Sequence, residues 1–246
     1  MKLHTFLLSF LFSLAAVADD DEKIVIAATD IEGLFDANSP GAYDEIYGQL
    51  IEGYAGQLQL MRGPTMRGRR FFFDAQADCL FVGADTPKFY EIEGVSADKL
   101  VLSDAITRIH LRVYTRPDDK IVTDLEQLRG KTLAINTGVI TFEEYRKLIA
   151  PYGIKAIRVE KDELAFSMLE RGRVAAVAAY DLDVKALSKY RPELLNFGYN
   201  SNFSIVSSAD IFICWRTPQT QAFVTHINDK LKRMRETGAL HEILTR

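Results

Sequence analysis

The apolar residues of this chain fall into two alternating rhythms. The β-branched runs KIVIAATD (Lys23 to Asp30), LQLMRG and CLFVGA read as strands. Between them, AYDEIYGQLIEGYAG places Tyr43, Ile46, Tyr47, Leu50, Ile51 and Tyr54 on one side of a helix, and MRGRRFFFDA reads as a second helical stretch. The rhythm then repeats. KTLAINTG is a strand, Thr141 to Ala150 a helix, IKAIRVE a strand, KDELAFSMLERGR a helix and VAAVAAYD a strand. A βαβαβ succession marks a parallel sheet, because each parallel pair needs a crossover and the crossover helix covers a face. Two such units predict two α/β lobes, each with a central, mostly parallel sheet flanked by helices.

Two stretches break the rhythm. One is extended and alternating from Ile109 to Thr115 and ends at Arg116-Pro117-Asp118-Asp119. The other, SIVSSADIFICWRTPQT, also ends at a proline and leads into an amphipathic helix through AFVTHINDKLKRMRETG, with Gly238 as its stop. Extended segments joining two lobes predict a hinged molecule with a cleft, the hinges falling at Ile109 to Tyr114 and at Ala209 to Cys214. In such sheets the loops at the carboxyl ends of the strands face the ligand. The stretch LEQLRGKTLAINTGVITFEEY has that form, since its strand ends in Asn-Thr-Gly directly before a helix and leaves amides for a ligand at the helix N-terminus. An ordinary β-to-α connection is the plainer reading of the same residues.

The N-terminus has the pattern of a cleaved secretory signal. Lys2 supplies the positive start, Phe6 to Leu14 is apolar but too short to span a bilayer, and Ala16-Val17-Ala18 is an A-x-A cleavage site before the acidic run Asp19 to Glu22. No cysteine follows the site, which speaks against a lipid anchor, so the expectation is an exported, periplasmic protein. Of the 246 residues, 48% are hydrophobic and 26% charged, enough for a packed core. A net charge of −4 argues against nucleic acid or an anionic membrane as the main partner. The basic cluster MRGPTMRGRR is too short for a nucleic-acid arm and reads as a solvated loop. His4, His110, His226 and His241 have no ligand spacing to one another, and Cys79 and Cys214 belong to no CxxC motif, so no metal site and no cofactor is expected.

Taken in order, the segments VLSDA, LRVYTRPDDKIVTDLEQLRGKTLAINTG, LERGRVAAVAAYDLDVKAL, IFICWRTP and INDKLKRMRETGALHEIL resemble the family 3 extracellular solute-binding proteins, the periplasmic receptors of ABC importers. The resemblance covers nearly all of the chain after the signal and is strongest from Ser103 onward. It implies the two-lobed type II periplasmic-binding fold, with residues 1–18 as signal peptide, 19–108 and 215–246 as lobe 1, and 109–214 as lobe 2. It implies a monomer that captures a small polar solute (an amino acid, organic acid or amine) for an ABC permease of the inner membrane. Thr137, Gly138 and Thr141 fall where members hold an anionic group at a helix N-terminus. Asp181 falls where amino-acid-binding members present a carboxylate to an ammonium; a helix cap is the alternative. Asp30 and Ser103 complete the expected ligand set. In the implied fold Cys214 also approaches Cys79 on an antiparallel neighbour strand. A bridge and two buried thiols are both open there.

The departures bear on specificity. Members that bind amino acids carry a Thr after the strand-end Gly and an Arg after the third strand of lobe 1, a pair that clamps an α-carboxylate. Here Val139 stands at the first place, and GADTPKFYEIEGVSADKLVLSD holds no Arg at the second. Amino-acid specificity therefore does not carry over, and Arg67 or Arg108 would have to supply the cation, unless each is a solvated surface arginine. A dehydratase on the same fold would need Asp30, Asp104 and Asp181 to converge. No GxSxG, HExxH or phosphate-binding loop supports catalysis, so a non-enzyme is expected. A ligand-sensing partner of a membrane receptor is the remaining alternative.

Overall fold

The computed structural model describes residues 23–138 and 142–246. The expected signal peptide with its cleavage after Ala18, and Thr141, lie outside the described residues. The first unit runs β1 (Ile24–Thr29), α1 (Ala42–Ile51), β2 (Leu58–Gly63), α2 (Thr65–Phe73) and β3 (Cys79–Ala84), followed by α3 (Pro87–Ile92) and the short β4 (Leu100–Leu102). After β5 (Thr107–Tyr114) the second unit runs β6 (Thr132–Asn136), α4 (Phe142–Ile149), β7 (Lys155–Val159), α5 (Asp162–Glu170), β8 (Ala176–Tyr180) and α6 (Asp181–Ser188). The chain closes with β9 (Val206–Trp215), α7 (Pro218–Glu236) and α8 (Ala239–Thr245).

The strands form one curled sheet in the order β2-β1-β3-β9-β5-β8-β6-β7, with β4 on β9. β1 pairs parallel with β2 and β3, and β6 pairs parallel with β7 and β8. Each unit thus places its first strand in the middle, the arrangement that two same-handed crossovers produce. The expected extended joints are β5 and β9. They pair antiparallel with each other from Thr107↔Asp210 to Leu111↔Val206. Beyond Leu111, β5 pairs with β8 of the second unit; from Asp210 onward, β9 pairs with β3 of the first. The hydrogen-bonded ladder is therefore continuous through the crossing, and the expected lobe limits at 108/109 and 214/215 fall inside β5 and β9.

Each lobe buries apolar residues on both faces of its part of the sheet. Ile26, Phe35, Tyr47, Phe81, Phe212 and Phe223 fill one side of lobe 1 beneath α1 and α7, and Phe72, Leu80, Tyr90 and Ile211 the other. In lobe 2, Phe166, Leu169 and Val177 pack on one face, and Leu133, Tyr145 and Ile149 on the other. Gly68 lets α2 lie against β1, since a Cβ there would come within 2.5 Å of the Ala28 carbonyl oxygen. Three boundaries differ from the sequence reading. Pro218, read as the end of an extended run, opens α7 four residues before the expected start, because the Thr217 hydroxyl accepts a hydrogen bond from the Thr220 amide (3.1 Å). α1 stops short of Tyr54, with Gly53 at φ 75° just beyond it. α6 begins at once after β8, so Asp181 is the first residue of a helix.

Cys79 and Cys214 are direct cross-strand partners and form a disulfide. Their separation of 135 residues closes a long loop, which in the chain-entropy account stabilises the fold by about 4 to 5 kcal/mol. Thiol titration of the unfolded, non-reduced protein should find no free thiol, and reduction should lower the melting temperature by roughly 10 °C. Two titratable thiols would refute the bridge.

Candidate functional site

A cavity of about 640 Å³ lies between the lobes. Its walls are the carboxyl ends of the parallel strands. Thr29 and Asp30 follow from β1, Pro64 stands after β2, and Val82 to Ala84 end β3. From lobe 2 come Asn136, Thr137 and Gly138 after β6, Glu160 to Asp162 after β7, and Tyr180 and Asp183 after β8. Ile109, Ser208 and Asp210 reach it from the crossing strands. The convergence follows from the topology, because both sheets point the same strand ends at the crossing.

Seven lining residues are carboxylates (Asp30, Glu32, Asp36, Glu160, Asp162, Asp183 and Asp210), against two cations, Arg69 and Lys161. Lys161 pairs with Glu32 at 3.7 Å, a contact that spans the two lobes beside the one between the Ser39 and Tyr190 hydroxyls (2.7 Å). Among the described residues no ion pair neutralises Asp30, Asp162, Asp183 or Asp210, and Asp30 Oδ1 and Asp162 Oδ1 are buried without a hydrogen-bond partner. Burial without a paired cation disfavours the charged form and raises a carboxyl's pKa. Burial pushes Asp210 up to about 7 against the opposing hydrogen bond from the Tyr43 hydroxyl, with Asp85 and Asp181 adding repulsion. Asp162 is pushed up to about 6, again chiefly by burial, although Asn136 opposes it. Asp183 is raised well above the carboxylate range by burial and then by Asp162, Asp210 and Asp181. Asp30 is also raised by burial, with Arg62 opposing.

The residues singled out from the sequence divide into two groups. Asp30, Thr137 and Gly138 line the cavity together. Thr137 and Gly138 do so with their amides engaged, since Thr137 N–H donates to the Val159 carbonyl (2.7 Å) and Gly138 N–H to Asn136 Oδ1 (2.8 Å). Asp181, Ser103, Arg108 and Arg67 are not among the lining residues. The Asp181 carboxylate accepts the His110 amide (3.0 Å) and stands 3.4 Å from the buried Arg112 guanidinium, which in turn donates to the Ser201 and Phe203 carbonyls. Ser103 is buried in lobe 1, where its hydroxyl accepts the Phe212 amide (3.0 Å). Arg108 is half-exposed and 3.5 Å from Asp85. Arg67 is exposed on α2, and Arg69, two residues on, is the arginine that turns inward.

Asp162, Asp183, Asp210 and Arg69 escaped the sequence reading. Asp210 had a signal, as an acid inside the apolar run SSADIFICW, where a charge is seldom placed without purpose. Asp183 lies two residues after Asp181, and only the start of α6 decides which of the two faces the cavity. No group of three or more metal-ligating side chains occurs among the described residues. No described helix is long and apolar enough to cross a membrane.

Solved structures share this architecture. The substrate binding protein of an amino acid ABC transporter superposes with a TM-score of 0.68 at 16% identity, over 90% of this chain and 97% of that one. The GluR0 ligand-binding core from Nostoc punctiforme, in complex with L-glutamate, gives 0.71 at 15% identity, over 89% and 96%. An ancestral arginine-binding protein bound to arginine gives 0.67 at 17% identity, over 90% and 96%. No family model and no curated protein matches the sequence. The chain has the type II periplasmic-binding fold.

The raised carboxyls make stability depend on pH. Asp210 and Asp162 bind protons more tightly folded than unfolded, so their stabilisation is present near pH 4 and is lost as pH rises through about 6 to 7; Asp183 shifts in the same direction. Asp210→Asn should therefore melt above the parent protein at about pH 8 and lose much of that advantage at about pH 5. An equal difference at both pH values would exclude Asp210 as a titrating group.

Proposed function

We propose that this protein is a periplasmic solute-binding receptor that closes its lobes on a small polar solute and passes it to an ABC-type permease in the inner membrane. The observation that supports the reading best is the placement of the cavity. Both lobes and both crossing strands contribute walls, so a solute held there touches every part that moves in a hinge closure. Contacts to both lobes supply the differential free energy that closing requires. Asp30 on lobe 1 and Thr137, Gly138, Asp162 and Asp183 on lobe 2 would be the gripping residues, with Asp210 at the hinge. Rotation would be absorbed between Thr107–Leu111 and Val206–Asp210, where the strands leave one lobe for the other. The structural neighbours are named as binding proteins, which supports a non-enzymatic role, and the N-terminal signal pattern supports export.

A thermal-shift screen of amino acids, organic acids and amines, followed by small-angle scattering, tests the reading. A binding solute should reduce the radius of gyration. Asp183→Asn should weaken that solute at least tenfold, whereas Asp181→Asn, which releases Arg112, should lower the melting temperature more than the affinity. A radius indifferent to every solute that binds would overturn closure.

A further inference from the structure

The cavity walls point to a narrower class of solute than the neighbours' names suggest. Acidic groups approach from three sides: Asp30 from lobe 1, Asp162 and Asp183 from lobe 2, and Asp210 from the crossing. Among the described residues none of the four forms an ion pair, the Arg62 near Asp30 being paired with Asp44, whereas Asp181, close by on the same helix as Asp183, has Arg112. Apolar side chains lie between the acids, with Ile31 and Val82 from lobe 1, Ile109 from the crossing and Leu187 from α6. Cationic groups are few among the described lining residues, Lys161 and Arg69 against seven acids. The Thr137 and Gly138 amides bond to Val159 and Asn136, and Lys161 pairs with Glu32. Arg69 is buried in the field of Glu93, Tyr90 and Tyr180. A carboxylate entering this space would lose its water and meet seven acids.

Resting on the receptor reading above, we infer that the solute is an organic dication without a carboxylate, a diamine or an amino-guanidine whose methylene chain lies on the apolar wall while its two ends meet acids of opposite lobes. One cationic end on lobe 1 and one on lobe 2 turns charge neutralisation into the closing force. The volume suits it, since about 640 Å³ holds an extended chain together with bridging waters.

Two pairs of probes isolate the carboxylate. Cadaverine is lysine without its carboxyl group, and agmatine is arginine without its own. In titration calorimetry on the disulfide-bonded protein, cadaverine or agmatine should bind at least tenfold more tightly than its parent amino acid, and glutamate should not bind. Affinity should fall steeply with added salt and drop at least tenfold in Asp183→Asn; if that variant does not fold, Asp30→Asn on the other lobe is the equivalent test. Lysine or arginine binding more tightly than its decarboxylated partner, binding of glutamate, or no binding of either amine would overturn the dication. If some other solute then compacts the protein in scattering, the receptor reading survives alone; if none does, both fall.

Discussion

The antiparallel ladder between Thr107–Leu111 and Val206–Asp210 is where, among the described residues, the two lobes share backbone hydrogen bonds. Its geometry sets the rest. Because β5 leaves it into the lobe 2 sheet and β9 into the lobe 1 sheet, the carboxyl ends of both sets of parallel strands are turned toward the same space. Asp210 closes the ladder and pairs on both sides, with Thr107 of β5 and Ala84 of β3. The joint between the lobes and the floor of the cavity therefore meet at one residue.

Two aspartates of α6 display the physics of the site. Asp181 has its charge met by Arg112 and by backbone amides, an arrangement that fixes β5 against the helix. Asp183 has no such cation and shares its surroundings with Asp162 and Asp210. Carboxyls buried without a cation cost the fold stability once they ionise. Their persistence beside a cavity fits a site whose missing charge comes from outside, as buried ionisable groups at functional positions often do.

The lobes were legible because parallel sheets announce themselves. Runs such as KIVIAATD and VAAVAAYD are apolar almost throughout, and the helices between them carry a one-sided stripe. The cross-strand position of Cys79 and Cys214 was accessible only through the resemblance, and whether the thiols had joined was not. The site was half legible. Asp30, Thr137 and Gly138 stand at strand ends, which the alternation locates, whereas Asp183 and Arg69 depend on helical phase near a helix start, where a shift of one residue turns a side chain by about 100°. The sequence named Arg67, whereas Arg69, two residues on along α2, is the arginine that lines the cavity.

The return of β9 into lobe 1 also orders the protein's assembly. Lobe 2 is continuous in sequence from β5 to α6 and can fold as soon as that stretch of chain is available. Lobe 1 cannot. Its sheet lacks the strand beside β3, and one face of its core lacks α7 and α8, until the last sixth of the chain arrives. A chain that folds in order of synthesis would pass through a state in which lobe 2 is tethered to an open sheet edge at β3, with Cys79 still a thiol. An edge of that kind recruits other strands. Docking of β9 covers that edge and brings Cys214 beside Cys79, so the same step that completes the sheet allows the disulfide to lock it.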